Sequence, residues 1–460
     1  MSIEKLEPGK TLSGFVIDGV EETPYVVGTL TLDERGVEVE LPYLPHLPTK
    51  QFETIEQWVD GEALPANLIF ETLGGRVSLY GNRSTGWTSG NISQGRFRPD
   101  EAVLGDRMGD LQEPLTVTEV KSTLDGLSEW TGFKAIKQET HVDEQSRVKR
   151  ITAEVESVDE FTWQQGDAKM TITTHWHGDG KRNGLHIDEW VVLTTEFPTS
   201  RPFINHLMEQ RKVRSLLTLM LGAGIAWRKH EVRDERFAVV MPDGSLLPLF
   251  YEVISRRTVR DYALPVPDHT ALRRDGVAYL PQLQPAALTR WAALYEEWSR
   301  VIDPTVGVLS RSGAFAEDIV ISTNLSLEAG GHLLPASKDE EALYGSKKST
   351  SRHIFRCLES LGLDWSEAAD SLWGLAEAIA DNYNTIKHYD RGEMPPTQET
   401  YVIGRLSLVV VRLLALNLLD ETGQLVKAYG ESWQFQRLLR YFADSNLHID
   451  WKGDFVPASA

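Results

Sequence analysis

A polar cluster in the C-terminal half of the chain contains side chains suited to phosphodiester chemistry. Asn384, Lys387, His388 and Arg391 lie close together at the end of a predicted helix. Helical residues three or four apart share a face, so these side chains are expected to meet. An imidazole with a pKa of about 6.5 can take a proton from a ribose 2′-hydroxyl or return one to a leaving oxygen. His388 is therefore the candidate general acid/base.

The neighbours of His388 suit a phosphate group. Lys387, Arg391 and the Asn384 amide could hold a phosphate and offset the charge that develops on its oxygens, which requires no metal. A structural explanation is also open. The same cations could simply complement the dipole of a helix C-terminus before Gly392 ends the helix.

The run from Asn382 to Gly392 reads N-Y-N-T-I-K-H-Y-D-R-G. Together with the helices around it, this run resembles the HEPN family of RNA-directed helical domains, specifically the ApeA-like subgroup of abortive-infection proteins. The family motif is an arginine followed, after about four to six residues, by a histidine. His388 matches the histidine and Asn384 the polar residue after the arginine. Tyr383 stands where the arginine belongs.

The resemblance covers roughly the last 175 residues, and the N-terminal part is similar to the β-rich sensor region of ApeA-like proteins. It implies an anti-phage RNA endonuclease that cuts single-stranded RNA or tRNA without metal. It also implies a homodimer formed through the helical bundle and a phage-derived trigger. Either Lys387 and Arg391 replace the missing arginine, or catalysis is lost. In the second case the chain is a non-catalytic dimeric sensor or adaptor that binds RNA, a nucleotide or a protein partner.

Any RNA site must be local, because the net charge of the chain is −20 and RNA binding relies on Lys and Arg. The candidate RNA-binding residues are Lys347, Lys348, Arg352 and Arg356. A solvated helix face is the other interpretation of this group. Glu328 and His332 form an i, i+4 pair on a predicted helix, beside small residues. They could support the residues of the site, or they could simply lie at an ordinary helix edge.

The protein is expected to be cytoplasmic and to need no cofactor and no metal. The single cysteine, Cys357, excludes an intramolecular disulfide and a thiolate zinc site and is assigned to core packing. His175 and His177, with His186 across a Gly-rich turn, could bind a metal but also fit an exposed hairpin. No membrane association is expected, since Arg214 and Arg412 interrupt the longest apolar runs.

The pattern along the chain predicts an α+β, multidomain fold. Residues 1–200 alternate apolar and polar residues between Gly, Asp and Pro signals, which predicts a β-rich sandwich or curved sheet. Residues 201–284 predict a helix, a hairpin and a Pro-containing connector. Residues 285–460 follow the helical period and predict an antiparallel, HEPN-like bundle. The predicted helices after 285 are one around 288–298 and others at 314–334, 348–361, 366–388, 398–419 and 433–442.

Overall fold

The fold is known from a computed structural model. It describes residues 6–20, 25–47, 49–60, 63–105, 115–157, 160–181, 184–345, 349–388, 390 and 392–458. The strands are β1 (Thr11–Ile17), β2 (Val26–Asp33), β3 (Gly36–Tyr43), β4 (Asn67–Thr72), β5 (Gly75–Tyr80), β6 (Arg83–Thr88), β7 (Ser93–Arg98), β8 (Glu101–Val103), β9 (Thr116–Leu124), β10 (Ile136–Val142), β11 (Val148–Val155), β12 (Glu160–Gln165), β13 (Ala168–Lys181), β14 (Gly184–Pro202), β15 (Trp227–Arg233), β16 (Val239–Val240), β17 (Leu246–Leu247), β18 (Tyr251–Ser255), β19 (His448–Ile449) and β20 (Phe455–Val456).

Helices are concentrated in the C-terminal part of the chain. They are α1 (Lys50–Val59), α2 (Leu127–Thr131), α3 (Phe203–Leu221), α4 (His269–Asp275), α5 (Pro285–Leu309), α6 (Ala316–Leu333), α7 (Lys338–Tyr344), α8 (Thr350–Leu361), α9 (Leu372–Lys387), α10 (Thr397–Leu419), α11 (Gln424–Gly430) and α12 (Trp433–Asp444). The prediction of a β-rich N-terminal region followed by a helical C-terminal region is confirmed.

Within the described residues, fourteen strands form one antiparallel sheet. Their order is β12-β13-β14-β9-β15-β18-β8-β5-β4-β1-β2-β3-β7-β6. Alternation with period two gives many of these strands one buried face, as in β2, where Val26, Leu30 and Leu32 point into the core. Helix α1 covers this part of the sheet with Ile55 and Trp58.

Two strands of the sheet come from the predicted connector. Strand β15 pairs with β9 on one side and β18 on the other, and β18 pairs with β8. Residues 227–233 and 251–255 therefore lie in the interior of the sheet. The division of the chain near residues 200 and 285 stays a prediction.

The helical part shares its main core with one end of the sheet. Helix α5 packs against α3 and β12, and α6 packs against α5, α8 and α10. Helix α10 has the length and apolar composition of a membrane span, but 83% of its apolar window is buried inside the protein. This burial makes α10 a core helix, as predicted for the apolar run that contains Arg412.

Helices α6 and α8 approach closely because α6 carries two adjacent glycines. A side-chain carbon at Gly330 would lie 3.3 Å from the Cys357 sulfur, and one at Gly331 would lie 2.5 Å from the His353 Cα. The Cys357 thiol is buried and donates to the Leu327 carbonyl at 3.3 Å, and burial raises its pKa. Cys357 is thus part of the core, and this contact places the α6 and α8 side chains opposite each other.

Candidate active site and RNA interface

The described members of the polar cluster, Asn384, Lys387 and His388, lie at the C-terminal end of α9. The Ser371 hydroxyl caps the helix start by accepting from the Gly374 N–H at 2.9 Å. Leu375, Ile379 and Tyr383 then bury one face. The helix ends at Lys387, and His388 follows with extended backbone at φ −115° and ψ 107°. The shared helical face predicted from spacing therefore stops one residue before His388.

His388 is exposed and its backbone N–H donates to the Asn384 carbonyl at 3.0 Å. Asn384 itself is half-buried on the last turn. The imidazole is thus accessible to a large substrate from solvent, while the backbone N–H of His388 is bonded to the helix.

Lys387 is held by the residue that replaces the expected arginine. Its ammonium donates to the Tyr383 hydroxyl at 3.1 Å and lies 5.0 Å from the centre of the Tyr383 ring. The hydrogen bond with Tyr383 raises the pKa of Lys387, and the nearby Glu328 carboxylate adds to this rise. Tyr383 is itself buried. A buried tyrosine therefore positions a cation directly before His388.

The buried amide of Asn382 is incompletely paired. Its side-chain N–H donates to the Thr400 hydroxyl at 3.4 Å, at the start of α10. Its side-chain oxygen has no hydrogen-bond donor among the described residues.

Three of the residues predicted from the sequence to form the site, Arg391, Lys347 and Lys348, lie outside the described residues.

The other two RNA-binding candidates are engaged inside the protein. Arg352 and Arg356 both pair with Glu340, whose side chain is 0% exposed, and the two arginine side chains are only 14% and 13% exposed. Arg356 joins Glu340 through contacts of 2.6 Å and also donates to the Gly331 and Leu334 carbonyls. We name Glu340, Arg352 and Arg356 the Glu340 cluster. The hydrogen bond from Arg356 lowers the pKa of Glu340 to about 2.

The Glu340 cluster ties α7 and α8 to the end of α6, so its arginines have a structural role in this chain. Helical spacing does not predict this pairing, because Glu340 lies twelve residues before Arg352 on a separate helix. Charge-assisted bonds to a buried carboxylate leave little of either guanidinium for RNA.

A cleft of about 670 Å³ opens between α5, α6 and α8. The Glu328 carboxylate accepts from the Thr350 hydroxyl at 2.6 Å, and the rings of His332 and His353 lie 4.1 Å apart. Burial lowers the pKa of His353, and His332 beside it adds to the fall. Helix α9 packs against both α6 and α8, which form two walls of the cleft.

The cleft contains one residue that sequence reasoning missed, His353. Glu328 and His332 were recognised by their helical spacing, but His353 lies on another helix. The adjacent glycines of α6 were the available signal, because they mark a close approach to a second helix. The Nδ1 atom of His353 is buried and has no hydrogen-bond partner among the described residues.

The histidines of the β-region do not converge on a metal site. His175 stacks on Trp190 with ring centres 6.3 Å apart, and His186 pairs with Asp188 at 3.0 Å. Glu189 accepts from the backbone N–H groups of residues 135 and 136. Within the part of the chain that the structure describes, no three His, Cys, Asp or Glu side chains are grouped as metal ligands.

The β-rich region is similar to a known protein family. Residues 17–235 match the family model described as ApeA N-terminal domain 1. The match covers most of the sheet and helix α3 and ends before α5. No curated protein and no solved structure matches the chain. Through its N-terminal domain, the chain is an ApeA-like protein.

Proposed function

We propose that this chain is an endoribonuclease of anti-phage defence that acts in the cytoplasm as a homodimer of its helical part. His388 is the general acid/base, Lys387 and Arg391 stabilise the phosphate charge, and Asn384 positions the phosphate or ribose. The ApeA-type N-terminal domain supports the defence role. The observation that carries the catalytic role is the exposed His388 imidazole directly after an ammonium that Tyr383 positions.

The cleavage needs only proton transfer and charge stabilisation. An imidazole removes the proton of a ribose 2′-hydroxyl, and the 2′-oxygen attacks the adjacent phosphorus. The bond from phosphorus to the 5′-oxygen breaks, and a protonated imidazole supplies the proton of the leaving oxygen. The products are a 2′,3′-cyclic phosphate and a 5′-hydroxyl end. In a dimer, His388 and His388 of the second copy can divide these two roles.

The test is RNA cleavage by purified full-length protein in EDTA, with cyclic-phosphate ends as the readout. We expect His388→Ala to lower cleavage at least about 100-fold, which is the lower range for removing a general acid/base. Lys387→Gln should lower it by a smaller factor. His186→Ala is the matched control, because His186 is also exposed but lies on β14. Undiminished cleavage by His388→Ala would remove His388 as the catalyst.

The neighbouring cleft provides a second position for proton transfer. His353→Ala and His332→Ala, assayed beside His388→Ala, distinguish the two positions. Loss of cleavage in the cleft variants alone would move catalysis to α6 and α8.

A non-catalytic sensor or adaptor is the second candidate function. Tyr383 in the arginine position and the closed Glu340 cluster favour it. RNA binding without fragments, in extracts of infected cells that supply a phage trigger, would support this function over the nuclease.

A further inference from the structure

A cavity of about 290 Å³ lies where the helical part meets the ends of α3 and α4. Its wall includes the N-terminal turn of α6 and side chains of α10, α11 and α12. Gly222 follows α3 and Asp275 ends α4. The cavity combines cationic and aromatic side chains, namely Arg405, Arg412, Arg437, Tyr401, Tyr429 and Tyr441.

Arg405 is held by aromatic rings instead of a carboxylate. Its guanidinium lies 4.9 Å from the centres of both the Tyr401 and the Tyr441 ring. Among the described residues, no carboxylate or carbonyl accepts a hydrogen bond from it. Ring faces attract a guanidinium without using its N–H groups. The five donors of Arg405 are therefore available to an anion in the cavity.

The remaining charges of the cavity also favour an anion. Arg412 is buried and donates to three backbone carbonyls, those of Leu219 and Met220 at the end of α3 and that of Asp275. These acceptors carry no net charge. Asp275 is shared by Arg437 at 2.7 Å and Arg274 at 2.9 Å. The cationic groups thus outnumber the one carboxylate of the cavity wall.

The cavity wall has an apolar portion next to these cations. Ile319, Leu408, Val409 and Leu438 line it. A volume near 290 Å³ is at the small end of ligand pockets, which are about 300–1,000 Å³. A ligand that satisfies both portions has one anionic group and a compact, partly apolar body.

We propose that this cavity binds a small organic phosphate of mononucleotide size, with the phosphate on Arg405 and the base or sugar against the apolar wall. A planar guanidinium matches phosphate oxygens through paired hydrogen bonds. Such a ligand would contact α10 and α12 together with the ends of α3 and α4. It would therefore join the helical part to the region that carries the ApeA-type sheet. The binding site does not depend on the ribonuclease proposal.

Calorimetric titration of the full-length chain tests the proposal with four probes: AMP, adenosine, ribose 5-phosphate and inorganic phosphate. We expect AMP to bind saturably at one site per chain and adenosine to bind far more weakly. If ribose 5-phosphate binds as tightly as AMP, the ligand is a sugar phosphate, which would also support the proposal. Three results would overturn the proposal. Adenosine could bind as tightly as AMP, inorganic phosphate could bind more tightly than AMP, or neither AMP nor ribose 5-phosphate could show saturable binding.

Arg405→Gln should weaken AMP binding about 10- to 100-fold, the range expected for losing hydrogen bonds between charged groups. Arg440→Gln is the matched control, because Arg440 is an exposed residue of α12 that does not line the cavity. Arg405→Lys keeps the positive charge but loses the planar guanidinium, so it should also weaken AMP binding. It replaces Arg405→Gln in the test if Arg405→Gln does not fold. Unchanged AMP affinity in a folded Arg405 variant would contradict the proposal.

Discussion

Cations in the helical part are held in two different ways. In the Glu340 cluster, two arginines surround a buried carboxylate and tie α6, α7 and α8 together. At the end of α9 and in the cavity, Lys387 and Arg405 rest on tyrosine rings. A carboxylate neutralises a cation and uses its donors, whereas a ring face positions the cation and leaves its charge. We therefore expect the cations that rest on rings, rather than those paired with a carboxylate, to be the ones that bind a ligand.

The largest expected effect comes from opening the Glu340 cluster. Glu340→Gln leaves two poorly exposed guanidinium groups without their carboxylate, and removing one partner of a buried ion pair costs about 3–5 kcal/mol. Urea denaturation at pH 7 measures the loss in the free energy of unfolding. Glu341→Gln is the control, since Glu341 is exposed on the same helix and should change stability by less than about 0.5 kcal/mol.

The loss of stability in Glu340→Gln should depend on pH. Hydrogen bonding from Arg356 lowers the pKa of Glu340 to about 2 from an ordinary value of 4.5. A depressed carboxyl pKa contributes stability above the unfolded-state pKa, and this contribution is lost as pH falls through the folded-state pKa. The stability difference between wild type and Glu340→Gln should hold above pH 4.5 and shrink toward pH 2. A difference independent of pH in this window would argue against an ionised Glu340.

A smaller effect is expected where α6 meets α8. Gly331→Ala places a methyl group 2.5 Å from the His353 Cα, and overpacking of this kind costs about 1–3 kcal/mol. The variant should also separate the His332 and His353 rings. Gly307→Ala in α5 is the matched control, because open space surrounds that position and the helix propensity of alanine should add about 1 kcal/mol. Equal stability of the two variants would mean that the helices can separate without cost.

The smallest effect concerns Tyr383. Tyr383→Phe keeps the ring but removes the hydroxyl that accepts from Lys387, so the pKa of Lys387 should fall back toward its ordinary value. NMR titration of the lysine side chain measures this pKa, and stability should change by only about 1 kcal/mol. If the Lys387 pKa does not move, the ring rather than the hydroxyl positions the ammonium.

Several elements could be predicted because their signals are local. Apolar residues at helical spacing predicted α5, α6, α8, α9 and α10, and alternation predicted that the N-terminal region is β-rich. The start of α9 was placed too early, at residue 366 instead of Leu372, because the apolar pattern continues backward past the Ser371 cap. The roles of Arg352 and Arg356 could not be predicted, since nothing in their own segment indicates a buried Glu340 on another helix.

The sequence by itself determined the order of β-rich and helical regions, the core role of Cys357 and the position of His388 at a helix end, because these depend on periodicity and capping. Only the tertiary structure decided which charges are neutralised and which stay available. The pairing of Arg356 with Glu340, of Lys387 with Tyr383 and of Arg405 with two tyrosines joins residues from different turns or helices. Charge and ring contacts act over a few ångströms in space, whatever the separation along the chain.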